Sequence, residues 1–169
     1  MSNYDVIVIG VGGMGSATVY HLARRGLSVL GLEQFDVAHD RGSSHGQTRI
    51  MRKGYFEHLA YVPLLHKCYA MWSELEAATG ARLFERCGLI LFGPPDGAVI
   101  SGVRRAAREH DLDIQSLSVA EAVERFPGLR PSPDMAVMFE QDAGILYVEE
   151  GVRTFAAQAI ALGATIETG

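Results

Sequence analysis

Residues 42–55 read GSSHGQTRIMRKGY and hold one histidine, two arginines and a lysine. Cationic groups set this close repel one another unless something anionic or electron-rich lies opposite. Upstream, Gly10-Val11-Gly12-Gly13-Met14-Gly15 fits G-x-G-x-x-G, with a β-branched run before it and a helical pattern after it. Gly10 permits a tight turn, Gly12 lets the backbone approach a pyrophosphate, and Gly15 lets helix and strand pack closely. Phosphates belong at that helix N-terminus, where N–H groups and the helix dipole favour negative charge. Glu33, followed by Gln34, ends the next apolar run, where an acidic side chain can hydrogen-bond ribose hydroxyls. These residues predict a dinucleotide site. An acid at this place disfavours the 2′-phosphate of NADP, and spacing alone leaves FAD and NAD both open.

The elements that must position these groups follow from the hydrophobic pattern. Tyr4 to Ile9 predicts a strand buried on both faces, Gly12 to Arg25 a helix stopped at Gly26, and Leu27 to Leu32 a second buried strand. Ser44 and Gln47 have the S-x-x-Q spacing of a capping box, which predicts a short helix through Arg52. On it His45, Arg49 and Arg52 would share one stripe at i, i+4 and i+7, as a solvated basic face or as a face turned to a cofactor. Tyr61, Leu64, Leu65, Cys68, Trp72 and Leu75 form an apolar stripe at near-helical period, ended by Gly80.

Beyond Gly80, Leu89 to Phe92 predicts a strand, Gly97 to Glu109 a helix and Leu112 to Leu117 a strand. A second capping box, Ser118 with Glu121, opens a helix that breaks at Phe126-Pro127-Gly128. Met135 to Phe139 and Gly144 to Tyr147 read as strands of an antiparallel region. Glu149 to Leu162 reads as a helix, and Thr165 to Thr168 as the start of a strand. A parallel sheet built this way has few strands and open edges, as in the first part of a larger protein.

Composition narrows the function classes. With 48% hydrophobic and 21% charged residues, the 169-residue chain suits a globular fold with a core. A net charge of −5 gives no general attraction for nucleic acid or an anionic membrane. No apolar run reaches the roughly 18 residues of a membrane span, and the start lacks the basic region of a signal peptide. Cys68 and Cys87 lack C-x-x-C spacing and are expected as reduced core thiols of a soluble intracellular protein. His58, His66 and His110 have no partners at metal-ligand spacing, so no metal is expected. His21 and Trp72 are expected in packing, and Arg104, Arg105 and Arg108 on a solvated helix face.

The stretches GVGGMGSATVYHLARRG, LEQFD, RGSSHGQTRIMRKGY, YVPLL, CGLILFG, RFPGLR and DAGILY together resemble the N-terminal part of the monomeric sarcosine oxidase family. That family includes N-methyltryptophan and peroxisomal sarcosine/pipecolate oxidases. The likeness runs over essentially the whole chain, and the long basic motif is closest to the pipecolate-type members. It implies an α/β fold: a Rossmann-like FAD-binding domain of the glutathione-reductase type, interrupted by the start of a mixed-sheet substrate domain. The expected boundaries are 1–80 for the first part of the FAD domain, 81–146 for the substrate domain and 147–169 for the return.

The resemblance implies FAD as cofactor, with Ser43, Ser44, Thr48 and Arg49 as contacts beside Gly10, Gly12, Gly15 and Glu33. It implies that His45 and Arg49 lie against the flavin ring, where a cation stabilises the anionic reduced flavin. Arg52 matches a residue that binds the substrate carboxylate. The implied reaction is oxidation of a secondary-amine amino acid with oxygen reduced to peroxide. A flavin dehydrogenase, or a non-catalytic nucleotide-binding module of a larger assembly, is the alternative. Ser44-His45-Gly46-Gln47 and Lys53-Gly54-Tyr55 depart from the His-His-Gly-Asp and His-Ala-Tyr of some members, which counts against sarcosine itself. Neither Cys68 nor Cys87 matches the family's flavin-holding cysteine, and residues 1–169 alone are expected to be inactive. A cytoplasmic monomer, or a peroxisomal one in a eukaryote, is the expected setting.

Overall fold

The structure, a computed structural model, describes residues 3–169. The elements run β1 (Val6–Ile9), α1 (Gly13–Ala23), β2 (Val29–Glu33), β3 (Thr48–Met51), α2 (Tyr61–Thr79), β4 (Phe84–Glu85), β5 (Leu89–Gly93), α3 (Ala98–Glu109), β6 (Ile114–Leu117), α4 (Val119–Arg125), β7 (Ala136–Glu140), β8 (Gly144–Tyr147), α5 (Val148–Ala161) and β9 (Thr165–Thr168). They fall into two compact units. Of the described residues, one holds 3–49, 75–83 and 146–169, and the other holds 50–74 and 84–145.

The first unit is the βαβ layer. Its parallel sheet has the order β1-β2-β9, with Val6 opposite Val29 and Leu30 opposite Thr165. Ser16, Val19, Tyr20 and Ala23 recur at i, i+3, i+4 and i+7 and form the buried face of α1. That face meets Val152, Phe155, Ala156 and Ala159 of α5, with the Tyr20 and Phe155 rings 5.4 Å apart. His21 joins this ring cluster, 6.0 Å from Phe155. Burying a side chain such as Val19 completely contributes about 1.5–3 kcal/mol. β1 differs from its reading as a strand buried on both faces. It is an outer strand of the sheet, and Ile7 and Ile9 are 56% and 88% exposed.

The second unit is built on an antiparallel sheet of order β5-β7-β6, with Leu91 and Ser116 both opposite Met138. Ile100 and Val103 of α3 pack on Met138, with Phe56, Leu91, Ile114 and Ala136 around them. Arg104, Arg105 and Arg108 lie on the exposed side of α3. The Ser118–Glu121 capping box forms in full and starts α4, which stops before Pro127. A third sheet has the order β3-β8-β4. β4, only two residues long, is too short to leave a periodic signal.

Three expectations fail locally. No helix forms over 44–52: the segment turns and enters β3. Gly46 and Gln47 have φ of +86° and +46°, outside the right-handed helical region. Their N–H groups, which a first helical turn would leave for its cap, both go to Glu149 Oε1 at 2.8 and 3.4 Å. His45, Arg49 and Arg52 therefore do not share a helical stripe. On α2 the buried positions are Val62, Tyr69 and Leu75, while Tyr61 and Leu64 are 50% and 63% exposed, so the apolar stripe is rotated from the one read. Cys87 is an exposed free thiol in the turn between β4 and β5, not a core residue.

Candidate cofactor and substrate site

The glycine turn lies between β1 and α1, as its motif requires. Gly15 is fixed by contact: a Cβ there would stand 1.7 Å from the Gly10 carbonyl oxygen, so the first helical turn lies directly on the loop. Gly12 is the N-cap, with no side-chain capping bond, and no acidic residue occupies the first turn of α1. The helix N-terminus therefore keeps its affinity for an anion.

Gly10, Gly12, Gly13, Met14, Gly15, Glu33, Ser43 and Ser44 line one cleft of about 580 Å³, together with Thr18, His39 and Gly42. Ser44 returns to the loop from thirty-one residues on, its Oγ accepting the Gly13 N–H at 2.9 Å. Val11 lies behind the cleft, 1% exposed. Gln34 is exposed and lines a neighbouring hollow. His45, Thr48 and Arg49 are exposed and do not line the cleft. His45 donates from Nδ1 to the Gly42 carbonyl, and Arg49 donates to the carbonyls of Ser43 and Thr48.

Glu33 is buried under the loop. Its Oε2 accepts the Val11 N–H at 2.7 Å, and its Oε1 accepts the Phe35 N–H at 3.2 Å. His39 Nε2 stands 3.3 Å from Oε1. Burial alone would raise this carboxyl, but the backbone donors Val11, Phe35 and Gln34 and the His39 charge outweigh it and hold it below the usual carboxylate range. The Arg41 N–H donates to His39 Nδ1 at 2.9 Å, so a neutral ring carries its proton on Nε2, toward Glu33. His39 is the residue sequence reasoning missed. It belongs to no spacing rule and is recognisable only from its contact with Glu33.

In the second unit, Arg52 Nη2 meets both Glu57 carboxylate oxygens at 3.1 and 3.4 Å, and its guanidinium lies over the Tyr55 and Phe56 rings at 4.7 and 5.4 Å. Its Nε is buried without a hydrogen-bond partner. Lys53 Nζ is tied to Asp142 at 2.7 Å and lies 4.8 Å from the Tyr69 ring centre. Glu140, 3% exposed, accepts the Lys53 and Gly54 N–H groups at 2.6 and 2.9 Å. Among the described residues, no three histidine, cysteine, aspartate or glutamate side chains group so as to hold a metal ion.

The sequence profile of the FAD dependent oxidoreductases matches residues 5–169. The chain belongs to that family. This FAD dependent oxidoreductase is similar to a monomeric sarcosine oxidase of Streptomyces avermitilis, 45% identical over 163 residues, covering 96% of this chain and 42% of the relative. It is also similar to an N-methyl-L-tryptophan oxidase of Yersinia pestis, 39% identical over 152 residues, covering 90% of this chain and 41% of the relative. The fold is close to that of NikD, an amino acid oxidase essential for nikkomycin biosynthesis, with a TM-score of 0.87 at 27% identity, over 99% of this chain and 44% of NikD. The chain thus spans less than half the length of these relatives. The cofactor of the family is FAD, and the glycine turn, the N-terminus of α1 with its glycine N-cap and no acidic first turn, and the buried Glu33 fit its ADP half. Among the described residues no helix is long and apolar enough to cross a membrane.

Proposed function

We propose that the protein oxidises the C–N bond of a secondary-amine amino acid of the sarcosine, N-methyl amino acid or pipecolate type, with oxygen as electron acceptor. The observation that carries the substrate class is Arg52, a guanidinium with a buried, unpartnered Nε–H in a chain of the FAD dependent oxidoreductase family that is similar to a monomeric sarcosine oxidase. A buried donor left unpaired costs about 1–3 kcal/mol. A carboxylate can satisfy it through the planar fork, and every amino acid substrate has one.

When bound, FAD supplies the hydride acceptor for the carbon beside the nitrogen and the route of electrons to oxygen. The chain's own residues bind and orient. In this reading Gly10 to Gly15 and Ser43 to Ser44 hold the pyrophosphate, Glu33 the ribose, and His45, Thr48 and Arg49 the flavin end. Arg49 keeps donors beyond the two spent on its own loop, so it can give charge and hydrogen bonds to a partner. Residues 1–80 and 147–169 would form the FAD-binding part and 81–146 the substrate-binding part. Two free cysteines accord with a cytoplasmic protein, read here as a monomer.

Oxygen uptake and peroxide release by the FAD-loaded protein, with sarcosine, N-methyl amino acids and pipecolate, test the reading. Arg52→Lys should raise KM by roughly tenfold or more with a smaller change in kcat, because it loses the fork and keeps the charge. Turnover only with an artificial acceptor would make the protein a dehydrogenase. Equal kinetics in Arg52→Lys would remove Arg52 from the substrate site.

A further inference from the structure

We propose that Glu149, at the start of α5, is the positioning residue that sets the turn carrying His45 and Arg49. The inference rests on the reading of that turn as the segment that meets the flavin end of the cofactor.

The contacts run both ways. Oε1 of Glu149 accepts the Gly46 and Gln47 N–H groups at 2.8 and 3.4 Å, and the Val148 N–H donates to the Gln47 carbonyl at 3.1 Å. Oε2 faces Arg153, one helical turn on, at 3.6 Å, so the two oxygens divide between the loop and the helix. Successive N–H groups converging on one oxygen form the concavity in which backbone binds an anion, and here the anion is a side chain 103 residues away. The Gly46 N–H is the largest influence holding the Glu149 carboxyl below the usual range, followed by the Gln47 N–H.

The turn has reason to need an external grip. Gln47 is a non-glycine residue at φ +46°, a conformation that persists only where the surroundings over-determine it. His45 and Arg49 flank the two peptides held by Glu149, and among the described residues their side chains hydrogen-bond to carbonyls of the same stretch, those of Gly42, Ser43 and Thr48. The direction of both side chains therefore follows from the shape of residues 46–47. α5 in turn packs on α1, the helix that opens at the glycine turn, through Phe155 and Tyr20. One carboxylate thus links the cationic turn to a helix braced against the phosphate end of the same unit.

The test compares wild type, Glu149→Gln and Glu149→Ala in titrations with FAD and with ADP, and in the reduction potential of bound flavin. ADP reaches the glycine turn, Ser43–Ser44 and Glu33 but not the flavin end, so it reports whether the unit is folded. The expected result is FAD binding weakened roughly tenfold in Glu149→Ala with ADP binding unchanged, and a lower flavin potential as Arg49 and His45 lose their aim. Glu149→Gln, which keeps one acceptor oxygen, should recover most of both. If Glu149→Ala does not fold, Glu149→Ser, whose short side chain cannot reach the Gly46 and Gln47 N–H groups, carries the test through the same FAD-to-ADP ratio and potential. FAD affinity and potential equal to wild type in both variants would overturn the inference, as would equal loss of FAD and ADP binding. A wild-type protein that takes up ADP but no FAD would overturn the cofactor reading itself, and this inference with it.

Discussion

Two buried glutamates hold two loops in the same way, one in each unit. Glu33 grips the glycine turn through Val11 and its own following turn through Phe35, while Glu140 grips the basic motif through Lys53 and Gly54. In both, a carboxylate takes backbone N–H groups that would otherwise be buried without a partner. They differ in what else reaches the carboxylate. Glu33 lines a cleft of about 580 Å³ and has His39 beside it, whereas Glu140, 3% exposed, borders a smaller hollow of about 220 Å³ and accepts from the backbone of the loop it grips. The first grip can be shared with a ligand, and the second serves the loop. A buried carboxylate is therefore a sign of function only where a cleft and a second polar partner accompany it.

The largest effect should come from the closed grip. Glu140→Ala leaves the Lys53 and Gly54 N–H groups without their acceptor. A Cβ on Gly54 would already lie 2.7 Å from Ile114 Cδ1 and 2.9 Å from Glu140 Oε2. At about 1–3 kcal/mol for each orphaned donor, the loss is about 2–6 kcal/mol, read as a fall in the urea midpoint. A loss below about 1 kcal/mol would mean that Glu140 is not the support of the 53–54 turn. Next comes the backbone on which the open grip rests. Gly15→Ala sets a methyl against the Gly10 carbonyl, and neither backbone segment can yield without parting α1 from the loop. It should cost about 3 kcal/mol and abolish ADP binding by titration. Wild-type affinity would show that the loop is softer than its contacts imply.

The two S-x-x-E/Q spacings show how far the sequence could be read. Ser118 and Glu121 form the capping box their spacing predicts, because nothing else nearby competes for either side chain. Ser44 and Gln47 have the same spacing, yet Ser44 Oγ goes to Gly13 N–H and Gln47 N–H to Glu149. A local rule holds only where local partners win, and here a glycine inside the would-be first turn lowered the cost of losing. The β1–α1–β2 unit was legible for the converse reason: strand, glycine turn, helix and acid are all near in sequence. His39, Glu140 and Glu149 were not, since their partners lie from 6 to 103 residues away and their types are common on any surface.

The open grip should also be the one that responds to pH. The folded carboxyl of Glu33 lies below its ordinary value of 4.5, so its contribution is fully present above that pH and is lost as pH falls through the folded value. Urea melts from roughly pH 7 to pH 3 should show an acid limb that Glu33→Gln shortens, with about 1–2 kcal/mol lost at neutral pH from the weaker acceptor. An unaltered acid limb in Glu33→Gln would place the acid sensitivity elsewhere.

The smallest change separates the two grips most sharply. His39→Gln removes a ring donor from Glu33 while leaving Val11 and Phe35 in place, so the loop should keep its shape and lose about 0.5–1 kcal/mol. With one lowering influence gone, the carboxyl moves up toward its ordinary value, and the acid limb should begin at higher pH than in wild type. Nothing at Glu140 corresponds to this: its donors are peptide groups, which do not titrate. Nucleotide affinity gives the sign of the role of His39. If the ring competes with the ribose for Oε1, His39→Gln should bind ADP more tightly, and if it orients the carboxylate for the ribose, more weakly. Unchanged affinity together with an unchanged acid limb would leave Glu33 held by backbone alone, and the two grips would then be alike.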